Sequence, residues 1–147
     1  MDAYEVTSGL FIAGWLGPAD DFGALGVDAI IDLESWERAW PPPLPPANKI
    51  LIRYPIEDDE GVDPKVTPIA RMVADLVRDG HRVLIHCTQG LNRSALVAAR
   101  ALMELGDSSI EAIERVRAAR GEDEEGFGAL GNEAFVRWLL QQGATGG

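Results

Sequence analysis

The chain has 147 residues, 46% of them hydrophobic and 25% charged, with a formal net charge of −11 at pH 7. That size and balance fit one globular domain whose core folds without staples, here residues 1–147. A single cysteine excludes an intramolecular disulfide and leaves too few sulfurs for a structural zinc site, and the negative charge argues against nucleic acid or an anionic membrane as partner.

In chain order, residues 4–7 and 10–13 read as two short strands around Ser8 and Gly9, and residues 18–25 as a short helix. AIIDL (29–33) is apolar and β-branched enough for a buried strand. KILIRYPI (49–56) is a second such run and RVLIH (82–86) a third. Between these two, VTPIARMVADLVRDG sets Ile69, Met72, Val73, Leu76 and Val77 on one helical face, and Gly80 closes the helix. Residues 94–105 are apolar nearly all round, which predicts a central buried helix. Ser108 reads as the N-cap of a helix over 110–120, with Glu111 placed for a capping box. Asn132 reads as the cap of a last helix over 133–142, and GATGG as a frayed tail.

Strands alternating with helices predict an α/β fold with a mostly parallel central sheet of about five strands flanked by helices. Parallel crossovers are right-handed, and ligands bind beyond the carboxyl ends of such strands. The loops after Leu33, Ile56 and His86 should therefore share one edge. The helix over 94–105 leaves that edge and the helix over 110–120 returns, so residues 121–131 should reach it too. No run attains the ~18 apolar residues of a membrane span. The start, MDAYEVTSGL, lacks the charged and apolar regions of a signal peptide. The expected location is cytoplasmic, where a lone thiol stays reduced.

The chemistry concentrates in HCTQGLNRS, residues 86–94, between the third apolar run and the buried helix. A thiol there lies close to a helix N-terminus, whose partial positive charge favours the thiolate. The loop from Thr88 to Arg93, with Gly90 inside, can turn its N–H groups inward as an anion nest. Arg93 adds a planar fork suited to two phosphate oxygens. Cys87 and Arg93 thus frame a pocket for a tetrahedral oxyanion with a nucleophile at its floor. IEDDEGVD, after Ile56, supplies carboxyls on the same edge, one of which could protonate a leaving group.

HCTQGLNRS resembles the His-Cys-x5-Arg-Ser/Thr signature of the cysteine-based protein tyrosine phosphatases, in the form of the dual-specificity branch. YPIEDDEG resembles that branch's general-acid loop, LNRSALVAARALMELG its following helix, and NEAFVRWL its C-terminal helix. The resemblance covers roughly residues 10–139 and implies one phosphatase domain. It implies Cys87 as nucleophile, Arg93 as phosphoryl ligand, Ser94 as hydrogen-bond partner of the sulfur, and His86 as orienter of the loop and support of the thiolate. Thr88, Gln89, Gly90, Leu91 and Asn92 would line the bound phosphate. Asp58 aligns as general acid and base, with Asp59 and Asp63 the alternatives if the loop shifts. No metal or organic cofactor is implied.

The implied substrates are phosphotyrosine and phosphoserine or phosphothreonine residues of a protein or peptide. The alternatives are a non-protein substrate (phosphoinositide, RNA 5′ phosphate or glucan) and a non-catalytic phosphate-binding relative. The first is disfavoured by the uncharged Thr88, Gln89, Leu91 and Asn92 and by the net charge, the second by the presence of both Cys87 and Arg93. ESWERAWPPPLPPANK reads as a stiff extended connection, in which Trp36 and Trp40 could wall the pocket. The acidic run 121–126 reads as a solvated loop, or as one that selects substrate.

Overall fold

The computed structural model describes residues 2–17, 19–34, 45–89 and 91–144. Trp36, Trp40 and most of the proline-rich connection lie outside the described residues, as do Pro18 and Gly90. Five strands form one sheet: β1 (Ala3–Thr7), β2 (Leu10–Ala13), β3 (Ala29–Asp32), β4 (Ile50–Arg53) and β5 (Val83–His86). Their spatial order is β1-β2-β5-β3-β4, with β1 antiparallel to β2 and every other pair parallel. This is the expected mostly parallel sheet. The run 49–56 is not a buried strand: β4 sits at the sheet edge, where Ile50 is 40% exposed. Pro55, which has no N–H to donate, follows the ladder bond from Tyr54 N to Asp32 O and ends the strand.

Among the described residues the helices are α1 (Phe22–Leu25), α2 (Val66–Arg78), α3 (Arg93–Glu104), α4 (Ser109–Arg120) and α5 (Glu133–Ala144). α1 starts later than expected because the Asp21 side chain caps it, accepting from Ala24 N at 2.8 Å. α5 runs to Ala144, so the last helix takes in two residues read as tail. Alternation along the strands sends Ile31, Ile85 and Cys87 into a large core under α2, α3, α4 and α5. Ile30 and Leu84 face the other way, into a smaller cluster with Phe22 of α1. α3 is buried from Ser94 to Leu102, the central helix that its all-round apolar pattern predicts.

The capping box of α4 is present: Ser108 Oγ accepts from Glu111 N at 3.1 Å and Glu111 Oε1 accepts from Ser108 N at 2.9 Å. The Ser108 backbone N–H, and then its hydroxyl, hold the Glu111 carboxyl below its usual value of 4.5. The carboxylate's contribution is therefore present above the usual value and lost as pH falls through the lowered one. Ser108→Ala should lower the unfolding free energy by about 1 kcal/mol in urea titrations. A midpoint unchanged from wild type would show that the cap carries no stability.

Candidate active site

Cys87 follows the last residue of β5 and is 2% exposed. Its N–H donates to Ala13 O at 3.2 Å, while Leu33 N donates to His86 O at 3.0 Å. The nucleophile candidate is thus tied to the strands on both sides. The loop beyond it is braced by the segment after β2, where Trp15 N donates to Thr88 O at 3.0 Å. Position 14 is tight: a Cβ there would lie 3.1 Å from both Thr88 O and the Gln89 carbonyl carbon, so the loop backbone would have to shift by a few tenths of an ångström.

Arg93, the first residue of α3, donates from Nη2 to Thr88 Oγ1 at 2.9 Å and from Nη1 to Ile56 O at 3.4 Å. Its fork therefore spans the loop after β5 and the start of the acidic loop after Ile56. Ser94 Oγ, fully buried, lies 3.4 Å from the Cys87 sulfur, within hydrogen-bond reach. Asp58, Cys87, Thr88, Gln89, Leu91, Asn92 and Arg93 line one open cavity of about 290 Å³. The sequence-derived site residues thus meet around one cavity, with Ser94 and His86 behind its wall; Gly90 is outside the described residues.

The acidic loop separates its carboxylates by what each one holds. Asp58 alone among them lines the cavity. Its Oδ2 accepts from Asn92 Nδ2 at 2.9 Å and its Oδ1 from Asn132 Nδ2 at 2.8 Å. Asp59 turns back on its own loop and accepts from Gly61 N at 2.9 Å. Asp63 accepts from the Tyr54 hydroxyl at 3.0 and 2.9 Å and from Lys65 N at 2.8 Å. The Asp63 carboxylate in turn pushes the Tyr54 phenol above its ordinary value of 10.0. Of the three carboxyls weighed from the sequence, Asp58 is the one that lines the cavity shared with Cys87.

Residues 121–131 do reach the same edge. Leu130 N donates to Leu91 O at 2.9 Å, and Arg120 Nη2 lies 3.5 Å from Gln89 O. Leu130 makes its contact from a left-handed conformation, φ 60°, uncommon for a branched side chain. Arg117 holds it there, donating to Ala129 O at 3.2 Å and Leu130 O at 3.0 Å. The acidic run folds on itself, with Asp123 Oδ1 accepting from Glu125 N and Phe127 N, each at 2.9 Å.

Residues 19–144 match the family model described as dual specificity phosphatase, catalytic domain. The chain belongs to this family. The dual specificity phosphatases are cysteine-based, which agrees with a thiol at the floor of the cavity. No curated protein matches the chain significantly. Among solved structures, a mouse putative dual specificity phosphatase complexed with zinc tungstate is 26% identical, covering 95% of this chain and 87% of that one, with a TM-score of 0.71. Human DUSP28 is 24% identical over 95% of this chain and 93% of that one, TM-score 0.71. Tk-PTP in its active form is 24% identical over 97% and 96%, TM-score 0.74. The last two show a shared fold.

Three side chains at this dual specificity phosphatase site were not singled out from the sequence as part of it. Asn132 was read only as a helix cap, which it is: its Oδ1 accepts from Ala134 N at 3.0 Å and Phe135 N at 3.3 Å. Its amide nitrogen also donates to Asp58 and, at 2.8 Å, to Asp59 O, while its own N–H donates to Asn92 Oδ1 at 3.1 Å. Asp32 and Glu34 flank the His86 ring, all three buried. Among the described residues, these three alone bring three such donor atoms within 4.8 Å of one another. Each ring nitrogen of His86 faces a carboxyl oxygen, Nε2 that of Asp32 at 3.4 Å and Nδ1 that of Glu34 at 3.6 Å. No helix among the described residues is long and apolar enough to cross a membrane.

Asn132→Ala removes the cap and two restraints on the acid loop together. It should destabilise the fold by roughly 1–2 kcal/mol and speed amide hydrogen exchange across residues 57–61. Exchange in that segment unchanged from wild type would show that Asn132 acts on α5 alone.

Proposed function

We propose that the chain hydrolyses phosphate monoesters on tyrosine, and on serine and threonine, of proteins, through a phosphocysteine intermediate. The observation that carries this reading is the shared cavity of Cys87, Arg93 and Asp58. The Cys87 thiolate attacks phosphorus and forms the S–P bond as the P–O bond to the side chain breaks. Asp58, as the acid, gives its proton to the departing oxygen. Asp58, now a carboxylate, takes a proton from water. That water attacks phosphorus, the S–P bond breaks, and inorganic phosphate leaves with the thiolate restored.

Arg93 and the loop amides from Thr88 to Asn92 supply the positive potential for the transferring group, and no step in this scheme calls on a metal. The Ser94 hydroxyl, 3.4 Å from the sulfur, stabilises the thiolate as it leaves. His86 orients the loop from behind, through the backbone bonds its strand makes on either side. The two asparagine amides align the Asp58 carboxyl at the cavity wall.

Among the described residues, the cavity lining carries one cation, Arg93, and no lysine. That favours a single phosphoryl group over a polyanionic headgroup or RNA end. Turnover should be measured side by side on a phosphotyrosine peptide, a phosphoserine peptide, a phosphoinositide and 5′-phosphorylated RNA. The peptides should be the better substrates, and a preference for the lipid or the RNA would replace this reading.

Cys87→Ser should abolish turnover and leave phosphate binding intact, because Arg93 and the loop remain. Steady-state turnover within tenfold of wild type would exclude the covalent route. A cysteinyl phosphate trapped from wild type by rapid acid quench would support it.

Asp58→Asn should lower kcat by roughly 10²–10⁴-fold. The loss should be largest for poor leaving groups and small for an activated aryl phosphate, which departs without a proton. An asparagine at this position turns its own NH2 toward one of the two amide donors, so Asp58→Ala serves as a second variant. Leaving-group dependence should appear in both and be absent from Asp59→Asn and Asp63→Asn. Its appearance in Asp59→Asn instead would shift the acid by one residue.

A further inference from the structure

At the carboxyl edge, Ala13, His86, Asp32 and Arg53 stand in one register row across β2, β5, β3 and β4. Three of the four are ionisable, and two are deeply buried: His86 and Asp32 are each 1% exposed. Asp32 Oδ1 lies 3.4 Å from His86 Nε2, and Glu34 Oε1 lies 3.6 Å from Nδ1. Glu34 is fully buried. Its backbone N–H donates to Asp32 Oδ1 at 3.0 Å, which fixes that carboxylate's orientation.

Alternation puts His86 and Asp32 on the sheet face of Leu84 and Ile30, where Ala13, Leu16 and Phe22 are apolar. The charged groups facing the ring are therefore Asp32 from β3 and Glu34 just beyond it. β2 offers only Ala13 in the row, and β4 offers Arg53, 3.9 Å from the other oxygen of Asp32. Cys87 follows along the chain with its side chain on the opposite face.

A neutral imidazole has one N–H and one lone pair. Set between two carboxyls that are both ionised, it would turn that lone pair on an oxygen, acceptor against acceptor, where burial makes the clash expensive. A ring protonated at both nitrogens presents an N–H to each side. We propose that Asp32 and Glu34 are positioning residues that hold His86 doubly protonated and fixed beneath the phosphate loop. The residue before Cys87 then carries a standing positive charge. Its low-dielectric surroundings let that charge act on the thiolate and on a bound phosphate across the strand. The effect at Cys87 rests on the function proposed above, whereas the proton state of the ring does not.

The chain has two histidines, and His81, half exposed, is the internal reference. Long-range ¹H–¹⁵N spectra of the uniformly labelled full chain should be recorded over the range, about pH 5 to 8, in which an ordinary histidine exchanges its proton. His86 should show two protonated ring nitrogens at every pH. In Glu34→Gln it should lose one within that range. The kcat/KM profile of that variant on an aryl phosphate should gain a step absent from wild type, falling as pH rises through the loss. A purely structural role for Glu34 would instead lower activity evenly, with no new step. A wild-type His86 with a single protonated nitrogen, or one that titrates with His81, overturns the inference. So does a His86 proton state unmoved by Glu34→Gln. Should that variant not fold, the wild-type spectra decide. A wild type that hydrolyses no phosphate monoester sinks the proposed function and leaves the ring measurement valid.

Discussion

Strand β5 is gripped from both sides at its last residue, and the position of every other group at the edge follows from that grip. His86 O accepts from Leu33 N on one flank, and Cys87 N donates to Ala13 O on the other. The pairing continues one step further, where Trp15 N meets Thr88 O. Sheet hydrogen bonding therefore runs past the thiol before the loop opens. A residue at the end of a central parallel strand has lost its backbone freedom before any ligand arrives, which is the condition for attack within contact distance. Gly14 is what allows the neighbouring segment to come so near, since any side chain there meets backbone.

The acid loop is selected by neutral donors. Its carboxylates stand close in sequence, yet only Asp58 is drawn to the cavity, and what draws it is a closed set of amide contacts. Asn92 reaches it from the phosphate loop and Asn132 from the start of α5. The two asparagines are joined by Asn132 N donating to Asn92 Oδ1. Acid loop, phosphate loop and C-terminal helix are thereby held as one unit. Asp59 and Asp63 are committed to local partners that suit turns, and the Tyr54 hydroxyl keeps Asp63 from the cavity.

Much of this was legible in the residues. The alternation of strands and helices, the shared carboxyl edge, the Cys87–Arg93 frame and the capping box at Ser108 all rest on local pattern, which sequence carries directly. What escaped depends on contacts between distant positions. The exposure of β4 follows from strand order, and periodicity does not encode order. Asn132 announces itself as a cap, but its second contact is to a carboxylate 74 residues earlier. Asp32 and Glu34 look like the polar end of a strand running into a loop; only the register of β3 against β5 brings them to His86. Gly14 is one of 16 glycines, and nothing in its neighbours separates it from the rest.

The chain's net charge of −11 sits oddly beside a pocket meant for a dianion, and screening resolves the conflict. At physiological ionic strength charges beyond about 8 Å are largely hidden from one another, so the bound group feels its immediate neighbours. Near the thiol those neighbours are Arg93, the loop and, on the inference above, His86. The nearby carboxylates are engaged by hydrogen-bond donors: Asp58 by amides, Asp59 and Asp123 by backbone N–H groups, Asp63 by a phenol. Arg120 adds a second guanidinium against Gln89 O, its ring partner Tyr4 lying 4.5 Å away. The net charge acts at longer range, on approach. Under the proposed function, a protein bearing one phosphoryl group meets little repulsion before the loop takes hold of it. A ligand with many phosphates is repelled at every one of them and finds, among the described residues, a single arginine in the cavity lining to offset the cost.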